Sequence, residues 1–543
     1  MAQLVPPSSE ERDLYYFGLP SCPKLVARSS SIIDPWVNPQ MPGPTTFTGT
    51  MNMYPKSFLP AGDNTLLRQL WNDATSSLRI QIMEAVSVAD WTSINILRVG
   101  LKEDFHNTLL IAVAPNSMPW REGHSLALRC KTILEEHGIT DMHCEIRESI
   151  ATLCADAPTA DTSSAPATAP DDFQLSSEPI DSSYPAYCAE LSDSLGMKIA
   201  MKDLDYVVGT KGLYLALPLS TPESERRIVA LTCRHVVISS QTEGLQEYRH
   251  QHSQPYKEVI QVDQPTYKRM IESLEAEAKD YRDWADGATQ QGRTRTATNH
   301  TRLAIETENL AKSMVRYATP FSRVFGRLLY SPEFICKSEN GSQWLRDWAL
   351  IELLPSRHQA QLSSLRNKVY VGPRQTLNRL IRESERGWAG LPPPPENLEV
   401  EDGTITLTRV VVPKSELIRP PHFTDYSDER AILVAKYGAR GGLTLGLGNT
   451  LTSVVRYTDT LTGQRQTPSE EWCITSATAT HNRQVAFSEP GDSGSCIWDI
   501  NKRVAGILGG GDGINQLNDI TYAQPLERLL EDIRSHGFDV SLI

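Results

Sequence analysis

The chain has 543 residues, 40% of them hydrophobic, and a net charge of −13 from acids and bases mixed along its whole length. That is enough chain for two or three domains and at least one large core. The acidic balance argues against nucleic acid or an anionic membrane as the principal partner, and no apolar run reaches the ~18 residues a membrane helix needs. Residues 1–60 are rich in Pro and Ser, lack a sustained period, and predict an extended arm with a few anchoring aromatics. The first dozen residues have neither the basic start nor the apolar stretch of a secretory signal. Residues 61–154 predict a small α+β domain. Leu78-Arg-Ile-Gln-Ile82 alternates, Ile94 to Leu101 is strand-like, and Leu109 to Val113 is a short buried-strand run. Glu122 to Glu136 carries apolar residues at helical spacing and Gly138 is placed to end that helix. His106, His124, His137 and His143 have no catalytic company there and read as surface or half-buried residues. The natural role of such a domain is binding or regulation, with a protein as partner.

Residues 155–190 are small, Pro-rich and acidic, with too little apolar surface to offset ordering entropy, and predict a disordered linker. From 191 to 543 the pattern changes to short strands with turn signals between them, which predicts a β-barrel protein. The Ile228 to Thr232 strand delivers His235, and Asp347 opens the strand-like run to Leu354. The long interval between them predicts a helical hairpin inserted over residues 263–318. Its first arm carries Tyr267, Met270, Ile271, Leu274, Ala278, Tyr281 and Trp284 at helical spacing; Leu303, Leu310, Met314 and Tyr317 mark the second. Residues 375–400, with Pro392 to Pro395, read as a crossing between two barrels. Residues 525–536 read as a closing amphipathic helix, opened by Pro525 and ended by Gly537. Nine cysteines, an odd number at scattered spacings without a C-x-x-C pair, read as reduced thiols, and hence as a cytoplasmic or nuclear protein.

The chemistry-bearing stretch is Glu489-Pro-Gly-Asp-Ser-Gly-Ser495. Gly491 lets the backbone turn tightly enough to aim its own N–H and that of Ser493 at one point, and Gly494 keeps the approach to Ser493 clear. A serine hydroxyl is a weak nucleophile until a base takes its proton. His235 and Asp347 supply a base and an orienting acid, in the chain order His, Asp, Ser. Taken singly, each has a bland reading: a polar turn, a structural histidine at a strand end, an aspartate capping a turn. Together, Thr232-Cys-Arg-His235, Asp347-Trp-Ala-Leu-Ile351 and Gly491-Asp-Ser-Gly494 resemble the T-x-x-H, D-x-A-L-I and G-D-S-G signatures of the trypsin-like, chymotrypsin-fold serine peptidases, in the style of their intracellular-type members. The resemblance covers about residues 200–535. It implies a double six-stranded β-barrel, mainly β overall, with an endopeptidase site. Ser493 would be its nucleophile, His235 its base and Asp347 the orienting acid, and the N–H groups of Gly491 and Ser493 would form an oxyanion hole. Neither a metal nor an organic cofactor is implied.

Rival constellations fail. An α/β-hydrolase elbow needs G-x-S-x-G, and Ser495 stands at the last position. His250 and His252 could share a strand face, but nothing nearby completes four metal ligands. The chain also departs from the secreted members. Val236 stands where their cysteine follows the histidine, and no Ile-Val-Gly-Gly start follows a basic site. In trypsin-type zymogens a newly cut N-terminal amine pairs with the acid before the nucleophile, here Asp492, so Asp492 is expected to be satisfied internally. Gly438 to Gly446 resembles the G-x-x-T-G-x-T-x-G hairpin of intracellular-type members, with Gly441 in place of Thr. At the position that selects basic residues in trypsin stands Phe487. With Gly509, Gly510 and Gly511 lining the pocket wall, an apolar residue of medium size is expected on the acyl side of the cleaved bond. Three functions remain open: an endopeptidase acting on proteins or peptides, a silent pseudopeptidase serving as a peptide-binding scaffold, and a self-processing protease.

Overall fold

A computed structural model describes residues 5–38, 55–101, 104–153, 186–218, 227–239, 244–251, 254–339, 341–358, 360–387, 399–421, 429–458, 465–480 and 483–543. The 155–190 stretch expected to be a linker lies outside them as far as residue 185, as do Pro392 to Pro395 and His252. The chain is mainly β, in two large sheets.

The N-terminal part is built more tightly than its composition suggests. Residues 1–60 were expected as an arm, yet they supply α1 (Ser9–Leu14), β1 (Leu25–Arg28) and β2 (Ser57–Pro60). Ser8 caps α1 by accepting the Glu11 N–H at 3.0 Å. Aromatic clustering explains the order: Tyr15, Tyr16, Phe17 and Leu19 are buried, and the Tyr15 and Tyr16 hydroxyls both donate to Glu145, at 2.6 and 2.7 Å. Next come α2 (Thr65–Asn72), α3 (Ser77–Val86), β3 (Trp91–Leu101), β4 (Asp104–Val113), α4 (Trp120–Glu136), β5 (His143–Glu148) and β6 (Ile150–Leu153). The alternating reading of residues 78–82 is overturned by α3. Leu78 and Ile82 are buried, and so are Ala85 and Val86, whereas Ile80 between them is exposed. Residues four apart share a helix face as well as a strand face, and Ser76, which accepts the Arg79 N–H at 3.2 Å, decides for the helix.

Strands β7 (Lys198–Met201), β8 (Leu204–Thr210), β9 (Leu213–Ala216), β10 (Ile228–Thr232), β11 (Tyr248–Arg249), β12 (Glu258–Gln261), β13 (Val324–Ser331) and β14 (Ala349–Leu353) follow. With β21 (Ser541–Leu542) they form the first sheet, in the order β21-β9-β10-β14-β13-β12-β7-β8, with β11 on β13. Between β12 and β13 stand α5 (Gln264–Gln290) and α6 (Thr294–Met314). Their base is tied by the Tyr267 hydroxyl, which donates to the Met314 carbonyl at 2.9 Å. Further out, Tyr281 stacks on His300 and Arg282 pairs with Glu308.

The second sheet combines both ends of the chain. Strands β15 (Ile432–Gly438), β16 (Gly442–Val455), β17 (Ser469–Ser476), β18 (Cys496–Asp499), β19 (Val504–Ile514) and β20 (Leu517–Pro525) continue the N-terminal strands in the order β1-β5-β4-β3-β16-β15-β18-β19-β20-β17. In addition β2 pairs with β3, β6 with β19, and β17 with β16. Helix α7 (Leu526–Ser535) packs Leu526, Leu529, Leu530 and Ile533 into the large core. No helix among the described residues is long and apolar enough to cross a membrane.

Arg147 locks the two ends together. Its guanidinium is fully buried between Asp512 at 3.1 Å and Asp519 at 2.7 Å. Burial by itself would lower its pKa, but the two carboxylates outweigh burial and raise it. Arg147→Met would strip the counter-charge from two buried acids. It is expected to cost about 3–5 kcal/mol in a urea titration, with a single cooperative transition if the sheet unfolds as one.

Candidate active site

Strands β10 and β14 are antiparallel neighbours, with Thr232 opposite Ala349 and Leu231 opposite Leu350. Antiparallel pairing puts the end of one strand beside the start of the other. His235, three residues past β10, and Asp347, two before β14, therefore leave the sheet at the same place. The short helical turn Arg234–Val237 carries the histidine. Asp347 holds it twice: one carboxylate oxygen accepts the His235 backbone N–H at 3.1 Å and the other lies 2.6 Å from Nδ1. With its Nδ1–H donated to that carboxylate, the ring keeps Nε2 as an acceptor. Nε2 is 2.7 Å from Ser493 Oγ. The Ser493 proton has a second acceptor, the Gly509 carbonyl at 3.0 Å. Asp347 and Ser493 are buried, and the His235 side chain is 10% exposed.

The turn bearing Ser493 comes from the second sheet and is fastened to the first. The Thr210 N–H donates to the Ser493 carbonyl at 2.8 Å and its hydroxyl to the Gly491 carbonyl at 3.0 Å. Gly494 donates to the Leu508 carbonyl at 2.8 Å, which the Cys233 thiol also reaches at 3.2 Å. Gly491 and Gly494 have φ of +103° and +91°, the left-handed region that favours glycine. A Cβ at Gly494 would also lie 2.4 Å from the Thr210 carbonyl oxygen. Among the described residues, nothing accepts the N–H of Gly491 or of Ser493.

Asp492 is satisfied from inside the chain. Its fully buried carboxylate pairs with the equally buried Lys436 at 2.6 Å and accepts the N–H groups of Arg440 and Gly441 at 2.9 Å each, and that of Glu489 at 3.1 Å. The glycine at 441, unexplained in the hairpin pattern, has its reason here: a Cβ would lie 2.6 Å from the Asp492 carboxylate and 2.7 Å from Lys436 Nζ.

The expected pocket residues separate. Phe487 is only 2% exposed and packs into an apolar cluster with Trp472, Ile474 and Leu508, so it belongs to the core and does not line an open pocket. The ring is drawn inward because Gly446 leaves room for it. Gly509 lies next to Ser493 with open space where a Cβ would be, whereas Gly510 and Gly511 are closely covered, Gly510 by Tyr457 and the Thr152 carbonyl and Gly511 by Asn518. Sequence reasoning missed three residues. Thr210 carried no signal. Lys436 did, as a lone charge in the apolar run Ile432–Gly438, which demands a buried partner. Cys233 carried no signal of its own; its sulfur lies within 4.8 Å of ligand atoms of His235 and Asp347. Cys22, Cys130, Cys144, Cys233, Cys336, Cys473 and Cys496 form no disulfide. His250 stacks on Tyr256.

No known family's sequence profile and no curated protein matches the chain. One solved structure, described as a glutamic-acid-specific serine protease that uses a novel histidine triad in substrate binding, overlaps 64% of this chain and 99% of its own. The identity is 11% and the TM-score 0.28. At that score the overlap adds no weight to the residues themselves.

Two measurements follow from this arrangement. Gly441→Ala must push apart the Asp492–Lys436 pair and is expected to lower stability by about 1–3 kcal/mol in denaturant unfolding. Glu471, on β17, is pushed up to about 8 by burial; the Ser469 hydroxyl and Arg528 pull it down, and Asp347 and Glu470 repel its charge. Its neutral form is kept in the folded chain between the ordinary value of 4.5 and about 8, where the unfolded chain has already lost the proton. The stability it contributes is therefore complete below the lower value, falls by up to about 1.4 kcal/mol per pH unit between the two, and is gone above the upper one. Glu471→Gln is expected to flatten unfolding midpoints across that window.

Proposed function

We propose that the chain is a serine-type endopeptidase with the double-barrel arrangement of the chymotrypsin-like enzymes, the two sheets that meet at Ser493 corresponding to the two barrels. The observation that carries this reading is the unbroken line from the Asp347 carboxylate through His235 to Ser493 Oγ, at 2.6 and 2.7 Å. In that line Ser493 Oγ attacks a peptide carbonyl while His235 Nε2 takes its proton. Asp347 keeps Nδ1 protonated and stabilises the imidazolium that forms. The N–H groups of Gly491 and Ser493, which have no acceptor among the described residues, would receive the oxyanion. His235 returns the proton to the leaving amine, and water then releases the acyl group from Ser493 by the same route.

The open space beside Gly509 would take the side chain on the acyl side of the cleaved bond, and an apolar residue of medium size is proposed there. Protein or peptide is the substrate class.

A fluorophosphonate probe is expected to label Ser493 in the purified chain and to fail on Ser493→Ala and His235→Ala. Hydrolysis of a peptide library should fall on the order of a million-fold in either variant. Asp347→Asn, which removes the acceptor that fixes the tautomer, should lose about 10⁴-fold. Labelling that persists in His235→Ala at the unmutated rate would sink the reading.

A further inference from the structure

We propose that β6 is an inhibitory strand carried by the chain itself: it fills the edge of β19 along which an extended substrate would approach Ser493, and a foreign peptide is cut only while β6 is peeled away. The proposal rests on the peptidase reading above and adds the regulation of that site.

Strand β19 runs past Ser493. Its Leu508 carbonyl accepts the Gly494 N–H at 2.8 Å, and its Gly509 carbonyl lies 3.0 Å from Ser493 Oγ. One edge of β19 is taken by β20, from Gly506 opposite Pro525 to Ile514 opposite Leu517. The other edge is shared. β18 holds it as far as Ile507, opposite Cys496, and β6 holds it from Gly510 to Gly513. Gly509 is the gap between the two, and Ser493 Oγ lies at that gap.

An extended peptide can be held beside such a serine by adding itself to the neighbouring strand, since main-chain hydrogen bonds form whatever its side chains are. Beyond Gly509 the groups it would bond are those of Gly510 to Gly513, and β6 already has them. Ile150 lies opposite Gly513, Ala151 opposite Asp512, Thr152 opposite Gly511 and Leu153 opposite Gly510. The pairing is antiparallel, so β6 runs towards Ser493, as would a substrate whose acyl side lay on this edge. A Cβ at Gly510 would stand 2.6 Å from the Thr152 carbonyl oxygen, so the missing side chain lets β6 lie this close. Two strands cannot share one edge, and β6 therefore excludes a substrate bound in this way.

β6 is fixed at its root and more lightly held at its tip. Ser149, just before it, donates its N–H to the Val113 carbonyl at 2.9 Å and its hydroxyl to Asp512, and its carbonyl accepts from the Thr92 hydroxyl at 3.0 Å. Arg147, two residues earlier, is locked between Asp512 and Asp519. Towards Leu153 the hold weakens. Ala151 is fully buried, but Ile150, Thr152 and Leu153 are only half-buried, whereas the adjoining β5 is buried from Cys144 to Glu148. The pairing with β19 is also shorter than that of β20 on the opposite edge. Short, partly exposed segments open locally at a fraction of the cost of global unfolding. The end of β6 that is easiest to open is the one nearest Ser493.

Thr152 is the residue whose change loosens the tip. The Thr458 N–H donates to the Ala151 carbonyl at 2.8 Å, while the Thr152 carbonyl oxygen lies against Gly510. Successive strand residues turn their N–H and C=O groups to opposite sides, so Thr152, and not Ala151, directs its N–H to β19. Thr152→Pro deletes that donor. Losing one such bond raises the fraction of chains with β6 open about tenfold. The apparent KM for an extended peptide falls by the same factor, because it varies inversely with the competent fraction. At saturation the substrate itself keeps β6 away, so kcat stays unchanged.

The test compares the full chain with its Thr152→Pro variant on a fluorogenic peptide chosen from the library hydrolysis. KM is expected to be about tenfold lower in the variant at equal kcat. Fluorophosphonate labelling of Ser493 should run at the same rate in both, since a small probe needs no strand edge. A capped peptide with the sequence Glu148 to Leu153 should inhibit Thr152→Pro competitively, and more strongly than it inhibits the unmutated chain. Thr92→Val keeps its shape but loses the hydroxyl that holds the Ser149 carbonyl; it should move KM the same way and takes over if Thr152→Pro does not fold. Equal hydrolysis by the unmutated chain and the folded variant, including none by either, or a change confined to kcat, overturns the proposal. If both chains nonetheless label at Ser493, the inhibitory strand is sunk and the peptidase stands. If neither labels, both readings are sunk.

Discussion

A carboxylate with no water around it has to be matched where it lies, and Asp492 is matched by Lys436. Both side chains are fully buried, and glycines at 438 and 441 clear the space that the pair fills. A buried ion pair adds little net stability, because desolvation of the two charges offsets much of their attraction. Its effect here is on conformation. Asp492 immediately precedes Ser493, so three backbone N–H donors and one ammonium that hold its carboxylate also hold the turn that aims the hydroxyl. In the trypsin-type pattern that this sequence resembles, the matching cation is a chain end made by cutting. Here it is a lysine in the middle of a strand, present as soon as the chain folds.

Ser493 and His235 come from different sheets. His235 and Asp347 leave β10 and β14 together, so their 2.6 Å contact is set by the register of one antiparallel pair. The 2.7 Å contact between His235 and Ser493 is instead set by how the two sheets pack. Thr210 bridges that seam by holding the carbonyls of Gly491 and Ser493, and Leu508 bridges it again by accepting from Gly494 and Cys233. At Gly212 a Cβ would stand 2.1 Å from the Gly494 carbonyl oxygen. The approach is so close that the seam has little freedom to slide, and a hydrogen bond of this length tolerates little sliding.

Local chemistry carried much of this in the sequence. Ser493 between two glycines, a histidine just past a β-branched strand and an aspartate just before another are short-range patterns, and the structure brings the three together. The helical spacing of Tyr267, Met270, Leu274 and Ala278 is likewise a short-range pattern, and those residues are buried on one face of α5. Long-range pairing left no such mark. Nothing in Ile150 to Leu153 announces that it lies along Gly510 to Gly513, more than 350 positions away, because main-chain pairing is blind to side-chain identity. The five-residue alternation at 78–82 could not separate a strand from a helix, since positions four apart coincide in both. Phe487 failed for a different reason. Its place six residues before the serine was legible, but whether its ring turns inward depends on Gly446, from another strand.

Strand edges explain why the N-terminal part is attached as it is. An open sheet edge recruits any extended chain, and the edge of β19 beyond Ile507 would be one were it left unpaired. Here that edge is covered by β6, and β3 extends the same sheet from β16. Residues 61–154 therefore use two of their own strands inside the molecule, which leaves a recruited protein only their remaining surfaces. A strand added from outside along Gly510 to Gly513 would have to displace four paired residues whose register is held by Asp512 and Arg147.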